Sequence, residues 1–369
     1  MRELLPVNAA LFVVGLVLVL ATWSSVLRTL VVPRGLTSRL TAFVTRLVRG
    51  AFDLVARRVR TYERKDRLLV AQGPALLLVL LGTWIALFLV GFWLMFFSIV
   101  EVSALDAWRM AGAAVFTLGN ATTPTFATSA IAFAAATTGL LVVALQVAYL
   151  PTLYAAFNRR ETLVTMLQSR AGAPAWGPEL LARHHIVETL DSLPGFFAEW
   201  ENWCADLAES HTNYPVLVTF RSPQPLRSWI VGLLAVLDAA ALRLALNPSA
   251  RVSEARLCLR MGFTSLRDIC AANGIPYDPD PMPDDPIALT YEEFLEGVER
   301  LRAVGYEIER APEEAWPHFK GWRVNYERQC YALAAVVEAV PAVWSGPRRG
   351  DPEQLLPVTP PNRTPATPF

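Results

Sequence analysis

Several signatures of chemistry are missing from this chain of 369 residues. Cysteine is scarce: Cys204, Cys258, Cys270 and Cys330 all lie in the C-terminal half, without a CxxC pair or zinc-finger spacing. That argues against zinc and fits free thiols in a reducing compartment. There is no GxxxxGK[ST] loop, no GxGxxG fingerprint and no nucleophile elbow, which removes the usual phosphate, dinucleotide and hydrolase sites. Lysine is nearly absent (Lys65 and Lys320 alone), so arginine carries the positive charge, a matter of base composition rather than chemistry. The net charge is zero, and no basic stripe interleaved with aromatics marks a nucleic-acid surface. No apolar run carries regularly spaced arginines, which excludes a voltage sensor of the usual kind. No repeat of fixed period is visible.

Histidine is also rare, with four in all. His184-His185 with Glu188 could offer ligands on one helix face, but metal sites need three or four protein ligands and no further cluster is evident. Glu209-Ser210-His211 are sequence neighbours, which do not share a helix face. The expectation is therefore no enzyme, no metal and no cofactor. An enzyme carried by the C-terminal half has no catalytic motif behind it.

What is present is apolar length. Hydrophobic residues make up 53% and the mean hydropathy is +0.34, too apolar for an ordinary soluble protein and too charged for a fully embedded one. Three runs, Ala9–Val32, Pro74–Val100 and Ala127–Phe157, reach the roughly 20 residues that span a bilayer. The first reads as an anchor, not a cleaved signal, because bulky residues follow where a small-residue site is wanted. Between the first two runs, Arg39, Arg46, Arg49, Arg57, Arg58 and Arg64 face few acids, and Leu40, Phe43, Val44, Leu47 and Leu54 recur at helical spacing. Residues 33–72 thus read as one basic amphipathic linker helix, with its 34–67 segment on an anionic leaflet. Basic segments stay inside. The N-terminus is then outside, and the chain returns to the cytoplasm at Arg159-Arg160.

Residues 158–344 read as a cytoplasmic helical domain. Leu180, Ile186 and Leu190 mark one amphipathic helix; Phe196–Ser210, Glu254–Cys270, Tyr291–Val304 and Pro312–Val343 mark others. Pro194 suits the first turn of its helix. Ser228–Leu237 is apolar but short, with Asp238 and Arg243 following, so it reads as a buried core helix, not a fourth span. Residues 345–369 are Pro-rich and aperiodic and read as disordered. The expected fold is all-α, a polytopic protein of the inner membrane. It comprises an N-terminal span (1–32), the linker (33–72), a module at 73–157, the cytoplasmic domain and the tail.

The 73–157 module carries the functional signal. An outer helix (74–100) and an inner helix (127–157) flank a stretch at 105–122 that is too short to span yet apolar enough to re-enter, and such backbone survives at membrane depth only when buried or facing water. Asp106–Phe116 supplies a short helix, followed by Thr117-Leu118-Gly119-Asn120. This order resembles the pore of the potassium-channel family over about residues 75–157, with Thr117, Leu118 and Gly119 matching its Thr-Val-Gly. The resemblance implies a homotetramer in which Thr117, Leu118, Gly119, Asn120 and Ala121 line a filter for a monovalent cation such as K+. It also implies an inner-helix hinge at Gly139 and a kink at Pro151. Thr137, Thr138 and Gln146, polar in an apolar span, are candidates for the pore wall or for helix–helix hydrogen bonds. Where the family continues Tyr/Phe-Gly-Asp, this chain continues Asn120-Ala121-Thr122, which implies altered selectivity. The alternative is a non-conducting scaffold or sensor that keeps the architecture.

Overall fold

The computed structural model describes residues 4–32, 38–59, 61–119, 125–250, 253–350 and 352–358. Among the described residues there is no strand, only an isolated bridge between Ala342 and Leu355. The chain divides into two compact units, one built from Met1–Arg58 and Ala71–Ala155, the other from Val59–Val70 and Ala156–Phe369.

The first unit contains α1 (Leu4–Leu30) and α2 (Arg39–Ala56); α3 (Tyr62–Leu69) belongs to the second. The expected single linker helix is thus two helices, α2 ending at Ala56 and α3 starting at Tyr62, and its second half lies in the other unit. The first unit continues with α4 (Gln72–Ile99), α5 (Ala104–Val115) and the first part of α6 (Phe126–Ala171). The long helices pack as apolar helices do when both partners are equally greasy, through small residues that let backbones approach. A Cβ on Gly15 would sit 2.6 Å from the Gly91 carbonyl oxygen, so α1 and α4 cross at this glycine pair. Hydroxyls add specificity: Ser25 shares a 2.7 Å hydrogen bond with Ser38, the N-cap of α2, and accepts one from Trp84 Nε1. Thr29 bonds Thr41 at 2.8 Å. On α2, Thr41, Val44 and Val48 are buried while Phe43, Leu47, Leu54 and Val55 are exposed.

α6 runs for 46 residues without a break, through Pro151 and past Arg159-Arg160. The inner helix therefore does not end at 157. A charged pair signals an exit from lipid but has no power to stop a helix, and nothing from Asn158 to Arg170 breaks one.

The second unit adds α7 (Gly177–Ile186), α8 (Leu193–Asn213), α9 (Trp229–Leu246), α10 (Ser253–Ala272), α11 (Tyr291–Arg302), α12 (Pro312–Arg323) and α13 (Glu327–Val336). Leu190 falls after α7 in a separate 3-10 turn, and the expected helix from Pro312 to Val343 is two. Pro194 occupies the first turn of α8. α9 is the axis of the core: Trp229 and Leu233 through Leu242 are buried on all sides. Among the described residues four helices are long and apolar enough to cross a membrane, in Asn8–Leu30, Tyr62–Ile99, Phe126–Ala171 and Trp229–Leu246. The last is enclosed by its own unit; the other three leave most of their apolar surface uncovered.

The tail departs from the disorder expected of it. Arg348 is buried and its guanidinium donates to the carbonyls of Ala339, Val340, Ser345, Gly346 and Pro347. Leu355 N donates to Pro341 O and Val358 N to Ala173 O. The segment to 358 is thus fastened to the second unit by backbone hydrogen bonds, which composition does not reveal; 359–369 lie outside the described residues.

Candidate functional site

The first candidate is the hairpin between α4 and α6. α5 begins with a complete N-terminal cap: Ser103 Oγ accepts from Asp106 N at 3.1 Å and donates to the Asp106 carboxylate at 2.6 Å, and Arg109 pairs with that carboxylate at 3.1 Å. An acid in the first turn complements the positive end of the helix dipole. Trp93 near the end of α4 donates to Ala104 O and packs edge-on against Trp108. From there α5 runs back along α4, with Leu89 facing Gly112. Its last carbonyl, on Val115, rests against the backbone of Gly139, so closely that any Cβ there would collide. Gly139 lies about 20 Å along α6 from Phe126, at 1.5 Å per residue. The end of α5 therefore lies well down the length of α6, counted from Phe126.

α5 ends in a Schellman motif: Thr117 N donates to Ala114 O and Leu118 N to Ala113 O at 2.8 Å. This motif places one residue in the left-handed region, usually glycine. Here it is Thr117, at φ 55°, followed by Gly119 at φ 69°. A β-branched residue at positive φ is strained by roughly 1–2 kcal/mol. Thr117 Oγ1 donates to Phe116 O. Thr117, Leu118 and Gly119 are exposed. Asn120 and Ala121 lie outside the described residues.

The inner-helix candidates separate by face. Thr138, Gly139 and Gln146 are buried on the packed face of α6, in register with Ile131, Ala135, Val142 and Tyr149. Trp23 Nε1 on α1 donates to Thr138 Oγ1 at 3.2 Å, so Thr138 is a helix–helix hydrogen bond and not a wall facing outward. Gly139 serves the close approach of α5. Gln146 Oε1 is buried without a partner. Pro151 alone of the four is on the exposed face. That face carries Ala127, Ala130, Ala134, Thr137, Leu141, Ala144, Ala148 and Ala155 at alternating three- and four-residue steps. Of the polar residues singled out in this helix, Thr137 is exposed and Thr138 and Gln146 are buried; sequence alone does not separate Thr137 from Thr138, because the choice depends on a 100° helix rotation that only packing fixes.

In the second unit two buried arginines, Arg323 and Arg160, anchor networks of polar groups. Arg323 bonds Asp238 at 2.6 Å and Glu327 at 2.8 Å, donates to Trp344 O, and lies against the rings of Phe319, Tyr331 and Trp344. Tyr326 donates to Asp238 at 2.9 Å, and Glu327 accepts from Ala288 N and Leu289 N. Burial nevertheless pushes Asp238 up to about 6. Arg160 bonds Glu161, the carbonyls of Leu217 and Phe220, and His211 Nε2 at 3.1 Å. An arginine can only donate, so Nε2 accepts and the His211 proton sits on Nδ1, facing Leu207 O at 3.0 Å. Burial, then the Arg160 charge, hold His211 well below the usual histidine range. Ser210 and His211 are thus spent on structure. His184 Nδ1 faces Leu180 O, His185 packs against Tyr306, and among the described residues no three His, Cys, Asp or Glu side chains converge. The four cysteines are buried and free.

No protein-family model, curated protein or solved structure matches this chain.

Proposed function

We propose that the protein is a pore-loop cation channel of the bacterial inner membrane, derived from the potassium-channel type with altered selectivity and assembled as a homotetramer. The observation that carries this reading is the docking of α5 back along α4 onto Gly139. In this reading α1, α4 and the first part of α6 are the spans and Thr117–Gly119 the described part of the filter. The carbonyl end of α5 turns its partial negative charge toward a cation at depth. One hairpin cannot enclose a pore, and fourfold closure can. The small-residue seam of α6 from Ala127 to Ala155 is the surface on which copies meet or line the axis. Trp93 and Trp108 suit the outer interface, and the exposed apolar stripe of α2, flanked by arginines, suits the inner leaflet. The N-terminus is then outside and the second unit cytoplasmic.

The test is ion flux from liposomes containing the purified protein. Flux of K+ or another monovalent cation that Gly139→Val abolishes is the expected result; no flux under any ionic condition sinks conduction.

One observation favours a non-conducting scaffold: the Asn120-Ala121-Thr122 sequence that follows Gly119. Replacing these with Asn120→Tyr, Ala121→Gly and Thr122→Asp separates the two readings. Current that appears only in the triple variant marks a degenerate pore; strong current in both marks a working one.

A further inference from the structure

Within the second unit, the end of α6, α7 and the 3-10 turn at Leu190–Ser192 enclose an open cavity of about 350 Å³. Its wall includes Ser169, Arg170, Arg183, His184, Thr189 and Ser192. Three features of this wall point to one kind of ligand.

The first is charge. Among the described residues Glu179 is the only carboxylate bonded to these groups, and it is shared: it pairs with Arg183 at 2.8 Å and with Arg300 at 2.7 Å. Arg170 has no carboxylate partner among the described residues and lies flat on Phe196, 5.3 Å from the ring centre. Positive charge is therefore in excess, with one guanidinium uncommitted. The second is hydrogen-bond polarity. The hydroxyl protons point away into the backbone: Ser169 donates to Met166 O, Ser192 to Thr189 O and Thr189 to His184 O. His184 Nδ1 faces the Leu180 carbonyl at 2.7 Å, so it must be the protonated nitrogen, and Nε2 keeps its lone pair. Beside the guanidiniums the wall thus offers acceptors, which seek donors on a ligand. The third is size: the volume lies in the range of small-molecule sites.

We propose that this cavity binds a small phosphate ester with a polyhydroxy body, a sugar phosphate in chemical class. The phosphate, with a charge of about −1.5 to −2 at neutral pH, sits on Arg170, while the neighbouring Arg183 adds positive charge but keeps its own bonds to Glu179 and to the carbonyls of Gln168, Ser169 and Val358. The hydroxyls of the body donate to Ser169, Thr189, Ser192 and His184 Nε2. Inorganic phosphate fills only the first half of the site and neutral glucose only the second. The site uses side chains of the second unit alone, so it stands whether or not the protein conducts.

The experiment is isothermal titration of the full-length protein in detergent with glucose 6-phosphate, inorganic phosphate, glucose and dihexanoyl phosphatidic acid. The expected order is saturable binding of glucose 6-phosphate, weaker binding of phosphate and none of glucose. Arg170→Gln should weaken the sugar phosphate about tenfold or more, as loss of a charge-assisted contact does, and Arg170→Lys should fall between. Far-ultraviolet circular dichroism of both variants should match the wild type, since Arg170 holds no ion pair and its loss removes only the contact with the Phe196 ring. Absence of saturable binding, or equal binding by Arg170→Gln, overturns the proposal. Tighter binding of dihexanoyl phosphatidic acid also overturns it, because the source would then be a lipid headgroup.

Discussion

The two units solve the same problem, packing apolar helices, in opposite ways. In the first, helices cross at glycines and single hydroxyls, Gly15 with Gly91, Gly139 with Val115 and Trp23 with Thr138, beside a ridge of buried aromatics on α4, Trp84, Phe88, Phe92 and Phe96. Large side chains such as Val13, Leu20, Phe126, Phe133, Leu140 and Val147 are left uncovered. In the second, large side chains fill the interior, and the polar groups that go with them are tied into charged networks around Arg323 and Arg160. On the proposed reading, with the first unit in hydrocarbon and the second in water, the difference is one of solvent. A helix surrounded by hydrocarbon gains nothing by hiding leucine and needs close backbone approach. A helix in water gains by hiding it and must pair every buried charge.

That contrast can be broken or sharpened by substitution. The largest effect is expected at Arg323. Arg323→Met leaves Asp238 and Glu327 buried without their counter-charge, a loss of about 3–5 kcal/mol. Chemical denaturation followed by the near-ultraviolet signal of the second unit's tryptophans reads it; an unchanged midpoint would show that the network contributes nothing. Next is Gly139→Val, whose side chain has no room beside the Val115 carbonyl. Overpacking of this kind costs about 1–3 kcal/mol, read as loss of a disulfide formed between Leu89→Cys and Gly112→Cys. Undiminished cross-linking would show that α5 does not need this seat.

A pH effect comes third. His211 in the fold binds a proton less readily than in the unfolded chain, and burial lowers His184 as well. A depressed histidine contributes stability that is full above its unfolded value, near 6.5, and lost as pH falls below it. The slope reaches at most about 1.4 kcal/mol per pH unit for one group. His211→Asn should flatten the melting temperature between pH 6.5 and 5 relative to wild type; identical slopes would remove His211 from the account. Smallest is Thr138→Val, which deletes one hydrogen bond between spans at about 0.6 kcal/mol. A loss several times larger in detergent unfolding would mean that α1 and α6 depend on more than glycine contacts.

How far the sequence could be read follows from the same contrast. The apolar runs of α1, α4 and α6 and the uncharged core of α9 were visible because length and polarity are properties of the chain. The break between α2 and α3, the passage of α6 through Arg159-Arg160 and the seating of the tail were not. The break depends on packing, the passage of α6 on the lack of any helix breaker after Arg160, and the tail on bonds such as Val358 N to Ala173 O, which composition does not show. At the hairpin, Thr117-Leu118-Gly119 was legible as a motif, but the Schellman cap beneath it was not. Thr117 occupies a glycine's place there, and a β-branched residue gives no hint of positive φ. The buried charges around Asp238 also gave no local sign, since Tyr326, Glu327 and Arg323 lie far from it in sequence.

The dip of α5 is open to direct measurement. The four native cysteines are buried, so a spin label at Leu118→Cys in reconstituted bilayers can be compared with one at Leu105→Cys by collision with oxygen and with a water-soluble nickel complex. A label at 118 that sits markedly deeper than one at 105 is the predicted result. Equal depth for the two, both at the headgroup level, would contradict it.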